Sequence, residues 1–142
     1  MTAQAAKEKT YGDFTYEEAK DGITITKYKG DKKKVVIPDK INGTEVISIG
    51  DSAFWNCSSL TSITIPEGVI SIGDFAFDLC LNLTSITLPN SLTCIGSNGF
   101  ATTDLTSITI PENVRSIGCG AFFSCDKLKK SSIAGGDNKN LQ

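Results

Sequence analysis

The side chains best equipped for chemistry in this 142-residue chain are its five cysteines, Cys57, Cys80, Cys94, Cys119 and Cys125. A thiolate can serve as a nucleophile, a redox partner or a soft metal ligand. Each role needs company. No Cys-x-x-Cys pair occurs, and the chain has no histidine. That removes a His-based catalytic triad, a His general base and every His-containing zinc site. An odd number of cysteines also leaves at least one unpaired within the chain. Cys57, Cys80 and Cys125 each lie three residues after a phenylalanine, namely Phe54, Phe77 and Phe122. Free thiols in such a column read as small apolar core residues, and no metal is expected.

Serine and threonine are plentiful, but no base accompanies them, and the carboxylates are scattered without a recurring pair. The chain therefore reads as a non-enzyme that needs no cofactor. What does recur is a set of hydroxyl rows. Thr61, Ser62 and Thr64 are followed by Thr84, Ser85 and Thr87, then by Thr106, Ser107 and Thr109. On one sheet these rows would make a ligand-binding face; equally, threonine is a good strand residue and forms cross-strand ladders. The rows lack the Trp, Tyr and Arg anchors of a strong hot spot, so binding there would be weak or would need many copies. Trp55 and Phe123 are the remaining candidates. Each follows a core phenylalanine, where the intervening units carry Asp78 and Ala101, so both should lie outside the core. They either pack against terminal segments or face a partner.

The elements that must position these residues come from a repeat. "LTSITIP" at 60–66 returns as "LTSITLP" at 83–89 and "LTSITIP" at 105–111. Leu60, Leu83, Leu105 and Leu128 are spaced by 23, 22 and 23 residues. Gly50, Gly73, Gly96 and Gly118 keep step, as do Phe54, Phe77, Phe100 and Phe122. The link from Phe100 to Leu105 is one residue shorter than its counterparts, so the third unit carries a deletion there. Within a unit, alternation should send Ile63 and Ile65 inward and Ser62 and Thr64 outward. Pro66 ends the strand. Val69, Ile72, Ala76 and Phe77 should supply the opposite wall, and Gly73 marks a sharp bend or a close approach of neighbouring coils. One such unit cannot bury enough apolar surface to offset its ordering entropy; stacked units can. Stacking would put Cys57 and Cys80 on adjacent coils, where a disulfide is geometrically allowed, and Cys125 two coils from Cys80, which forbids that pair. Cys94 and Cys119 fall at other repeat positions, nearer the surface.

The pattern "LTSITIPEGVISIGDFAFDLC" resembles the BspA-type leucine-rich repeat (the Treponema class), which writes L-x-x-I-x-I-P and then V-x-x-I-G-x-x-A-F-x-x-C. Residues 11–57 resemble the entry unit that often opens such domains. The resemblance covers roughly residues 11–133. It implies a curved solenoid, export to the bacterial surface, and binding of host or neighbouring-cell proteins, commonly through the concave sheet. The third unit departs from the pattern: Gly99 replaces the alanine, and Thr102 or Thr103 replaces the cysteine. Looser packing is expected in that coil.

Taken together, the expected fold is a β-rich α/β solenoid, a short array of roughly 23-residue leucine-rich coils with an N-terminal β-hairpin cap. Residues 1–10 read as a flexible lead-in and 11–133 as a single domain, with 11–34 the cap and 35–133 the repeats. Residues 134–142, "AGGDNKNLQ", read as a disordered tail. Phe14 and Tyr16 alternate, Asp21-Gly22 signals a turn, and Ile23, Ile25 and Tyr28 follow, which suits paired strands over the first coil. Asn42-Gly43 marks a turn in an insertion within that coil. Lys33 and Lys34 stand where inner coils carry Thr61 and Ser62, and Lys129 and Lys130 do so in the last strand. Charges on terminal strands suit edge protection, or alternatively a basic ligand patch.

The formal net charge of −2 gives no reason to expect nucleic-acid binding, and no apolar run is long enough to insert in a membrane. The first ten residues lack a secretory leader. Export then implies a leader already removed, and a cytoplasmic location is the alternative. The expected function is non-enzymatic protein recognition or adhesion at a bacterial surface, as a monomer, with a host matrix or cell-surface protein as partner. Its rivals are a structural spacer, a fragment of a longer array, and weak glycan binding through the Thr/Ser face.

Overall fold

Alternation sets the first wall of each coil. Leu60, Ile63 and Ile65 are buried, Thr64 is exposed, and the strand ends before Pro66. The computed structural model describes residues 7–133. Three N-terminal strands, β1 (Lys9–Tyr11), β2 (Phe14–Ala19) and β3 (Gly22–Tyr28), pair antiparallel. Regular structure thus begins at Lys9, two residues before the expected boundary at 11. The expected tail, 134–142, lies outside the described residues.

The first coil contains β4 (Lys34–Val36), β5 (Lys40–Ile41) and β6 (Thr44–Ile49). Its insertion is a small hairpin in which Lys40 pairs with Glu45 and Ile41 with Thr44. Asn42 and Gly43 both adopt positive φ, 51° and 86°, as a tight hairpin turn demands. The second coil holds β7 (Ser62–Thr64) and β8 (Ser71–Ile72); the third holds β9 (Ser85–Thr87) and β10 (Cys94–Ile95). The fourth holds β11 (Ser107–Ile110) and β12 (Ser116–Ile117), and β13 (Lys130–Ile133) follows.

Stacking produces three walls. One is a continuous sheet in the order β1-β2-β3-β6-β8-β10-β12, parallel from β3 onward. The hairpin cap is built into this wall through β3. A second wall carries the outward hydroxyls. It was expected to be one sheet, but it is two: β4-β7-β9 and β11-β13. The break coincides with the deletion. Thr103 is buried at the position of Cys57, Cys80 and Cys125, which places the missing residue between Thr103 and Leu105, at the counterpart of Asn82. Asp104 alone spans a corner that Leu81 and Asn82 span in the coil before, and β11 leaves the ladder.

The third wall consists of turns. The expected α component is absent: among the described residues no stretch is helical. The reason lies in where the amides point. In the first coil, Ala53, Trp55 and Cys57 close short turns onto the carbonyls of Gly50, Ser52 and Phe54. The alternate amides of Ser52, Phe54 and Asn56 point sideways, to the carbonyls of Asp74, Ala76 and Asp78 on the next coil. The same alternation recurs from Phe75, Phe77 and Leu79 to Ser97, Gly99 and Ala101, and from Asn98, Phe100 and Thr102 to Cys119, Ala121 and Phe123. To turn every second amide outward, one residue in four must enter the left-handed region. Ser52, Asn56, Phe75, Leu79, Asn98, Thr102 and Ser124 all do so, with φ between 55° and 63°. Only stacking can hold bulky Phe75 and Leu79 there, since that conformation costs an L-residue about 1–2 kcal/mol.

Inside, the phenylalanines form a column. Phe54, Phe77, Phe100 and Phe122 stack with centroid separations of 5.0, 5.2 and 5.7 Å. Val69, Ile72 and Ala76 are buried as well, as the pattern predicts. The glycine column also has its expected role. A methyl group on Gly73 would meet the Asp51 amide at 2.7 Å, and one on Gly96 would meet the Asp74 amide at 2.5 Å. Asp51 accepts a 2.8 Å hydrogen bond from the Asp74 amide, and Asp74 accepts one of 2.8 Å from Ser97. The third coil keeps its core despite Gly99, because Phe100 and Thr103 remain buried.

Candidate binding surfaces

The hydroxyl face begins at the backbone. In β4-β7-β9 the register sets Lys34 beside Ser62 beside Ser85, and Val36 beside Thr64 beside Thr87. Ser62, Thr64, Ser85 and Thr87 therefore share one face of the sheet. Thr61 and Thr84 sit at its margin and are used differently. The Thr61 hydroxyl donates to the Lys33 carbonyl at 3.0 Å, and the Thr84 hydroxyl to the Thr61 carbonyl at 3.2 Å. Both hydroxyls clip one coil to the coil before. Thr106, Ser107 and Thr109 precede or lie on β11, whose ladder partner is β13. The structure thus gathers the first two rows and sets the third on a separate two-stranded ladder.

The aromatic candidates stand apart, at the two ends of the turn wall. Trp55 is 43% exposed and Phe123 62% exposed. Trp55 lines a groove of about 210 Å³ with Lys27, Tyr28, Lys29, Lys32 and Cys57. Spacing could not have shown this, since the lysines come from the cap and the tryptophan from the first turn. A second groove, of about 310 Å³, lies between β4 and the β1–β2 turn and shares Tyr28 and Lys32 with the first. Exposed Val36 and Tyr11 line it; both were missed in sequence, Val36 because it occupies the place of a threonine.

The cysteines are all free thiols. The Cys80 thiol donates to the Phe54 carbonyl at 3.0 Å, and Cys125 to Phe100 at 3.0 Å. The Cys80 thiol beside Cys57 holds the Cys57 thiol below its ordinary range, against burial and with help from Lys27. That neighbour and burial push Cys80 upward. Among the described residues no group of three or more His, Cys, Asp or Glu is placed to hold a metal ion.

Residues 28–141 match the BspA-type leucine-rich-repeat region in six copies. The chain belongs to this family. No curated protein matches it. Among solved structures, the leucine-rich-repeat protein TpLRR of T. pallidum is 32% identical, over 88% of this chain and 71% of that one, with a TM-score of 0.70. A leucine-rich-repeat protein from Bacteroides capillosus is 29% identical over 90% of this chain and 99% of that one, with a TM-score of 0.78. The pneumococcal vaccine antigen PcpA is 25% identical over 89% of this chain but only 30% of its own, with a TM-score of 0.78. BspA-type repeats are consistent with a protein-interaction module, and the family is generally non-enzymatic. In this BspA-type chain the recurring Gly, Ala-Phe and Cys positions are the close-approach, turn and core sites described above.

Proposed function

We propose that the chain is a non-enzymatic protein-recognition module, exported to a bacterial surface, whose partner is a host matrix or cell-surface protein. One observation carries this reading. Ser62, Thr64, Ser85 and Thr87 stand in register on the three-stranded β4-β7-β9 face, which Lys34 and Val36 complete along its outer strand. Short hydroxyl side chains lose little rotamer entropy when covered. Without aromatic anchors a single copy binds weakly, so avidity over many displayed copies does the work. The pneumococcal neighbour's description as a vaccine antigen supports an exported location.

The test is a double substitution, Thr64→Lys with Thr87→Lys, in solid-phase binding to basement-membrane extract and whole cells. Loss of binding with an unchanged circular dichroism spectrum is expected. Unchanged binding would sink the hydroxyl-face reading.

A spacer is the second reading, favoured by the break between β9 and β11, which limits the continuous face to three strands. It predicts no saturable binding to any matrix component.

A further inference from the structure

The cap closes two walls of the stack and leaves the third open. On the sheet wall, β3 pairs with β6. On the turn wall, the Tyr28 amide donates to the Ala53 carbonyl at 2.9 Å. On the hydroxyl wall, β4 pairs with β7 alone. Parallel ladders use alternate residues. The Lys33 carbonyl accepts from Ser62, and the Ile37 amide donates to Thr64, so the amides and carbonyls of Lys34 and Val36 point away from the stack. Among the described residues they have no partner.

We propose that this edge of β4 is a docking site for an extended acidic peptide segment of another protein. The segment adds as a strand beside Lys34–Val36 and places an aromatic or branched apolar side chain in the adjoining groove. This rests on the reading of the chain as a recognition module but uses the open β4 edge of that sheet, beside its Ser/Thr rows.

Three observations converge. The groove of about 310 Å³ runs along the open edge and is walled by Tyr11, Phe14, Tyr28, Val35 and Val36. Val36 is 72% exposed on that strand, the opposite of how an edge meant only to repel is built. The charge is net positive: residues 27–34, "KYKGDKKK", carry five lysines against one aspartate, and Lys32 and Lys34 line the groove against the single carboxylate of Asp13. Strand addition supplies main-chain hydrogen bonds, and pockets for alternate side chains supply selectivity. The lysines that deter a neutral strand admit an acidic one.

Charge also decides against a second copy stacked head to tail. Its β13 would meet β4, and the register that sets Lys34 beside Ser62 sets Lys130 beside Ser107. Two lysine positions would then fall in register at the joint, next to Lys129 and Lys33.

The experiment uses the full chain and fluorescein-labelled, blocked eight-residue peptides that alternate Glu with Val, Phe or Tyr. Matched peptides carry Lys for Glu, or methyl groups on alternate backbone nitrogens. Anisotropy should show saturable binding of the acidic set, none of the lysine set, and at least tenfold loss on backbone methylation. Lys32→Glu with Lys34→Glu should weaken binding about tenfold or more. Val36→Pro removes only an outward amide and should abolish it; Val36→Glu, which sets a like charge against the acidic peptide, serves the same end if the proline variant fails to fold. Absence of saturable acidic-peptide binding overturns the site, and equal binding of the methylated peptides overturns strand addition. A Ser85→Lys/Thr87→Lys protein, altered only on β9 two strands from the edge, separates the two sites. It should keep the peptide whether or not it keeps matrix, and loss of the peptide in that variant overturns the β4 assignment alone.

Discussion

The ring of Tyr28 lies stacked on that of Phe54, centroids 5.3 Å apart and planes 19° from parallel. A cap residue thereby becomes the first member of the phenylalanine column, with Phe14 tilted against it at 5.4 Å. Cap and coils should unfold as one. Tyr28→Ala is expected to lower stability by about 3–5 kcal/mol, the range for deleting a buried ring. Tyr28→Phe keeps the stack and loses only the hydroxyl that accepts the Lys32 amide at 3.1 Å, about 0.5–1.5 kcal/mol. Urea denaturation read by far-ultraviolet circular dichroism checks both; two separate transitions in the wild-type protein would refute the coupling.

Glycine substitutions should separate close approach from backbone conformation. Gly96→Ala drives a methyl into the Asp74 backbone and should cost about 1–3 kcal/mol through overpacking. Gly43→Ala meets open space, so only its positive φ is penalised, at about 1–2 kcal/mol. Thermal melts of the pair, alongside Gly118→Ala, should show the larger losses in the stacked column.

Restoring the deleted residue should mend the hydroxyl wall. Insertion of one asparagine between Asp104 and Leu105 is expected to join β9 to β11 and slow amide exchange in Ser107–Ile110. Hydrogen exchange read by mass spectrometry over that segment is the check, and unchanged exchange would mean that the break has another cause.

The thiols should react in a fixed order. Exposed Cys119 should label first with a disulfide reagent at neutral pH. Cys57 should follow, because Cys80 and Lys27 favour its thiolate. Cys80 is buried and shifted the other way, so it should label only on unfolding. Mass mapping after timed labelling gives the order directly.

Much of this architecture was legible because it is written in register. The glycine, phenylalanine and proline columns each announce a physical requirement that repeats with the coil. The turn wall was not legible. Phe75 and Leu79 give no residue signal for positive φ, since the stack and not the side chain imposes it. The deletion could be counted, but not its effect on β11, which depends on how a shortened corner meets a neighbouring strand. Exposure of Trp55 and Phe123 followed from their repeat position. The lysines that surround Trp55 arrive from another element, and no spacing rule links them.

The sideways amides of the turn wall all point the same way, from each coil toward its successor. Their peptide dipoles therefore add along the stack, as they do along a helix. The final coil ends in the amides of Gly120, Phe122 and Ser124, which meet no acceptor among the described residues, and this end of the wall is electropositive. The opposite end is electronegative, and there Lys27, Lys29 and Lys32 gather around Trp55. Two termini that look alike in lysine content are electrically opposite, and the cap is the one where cations rest in a favourable field.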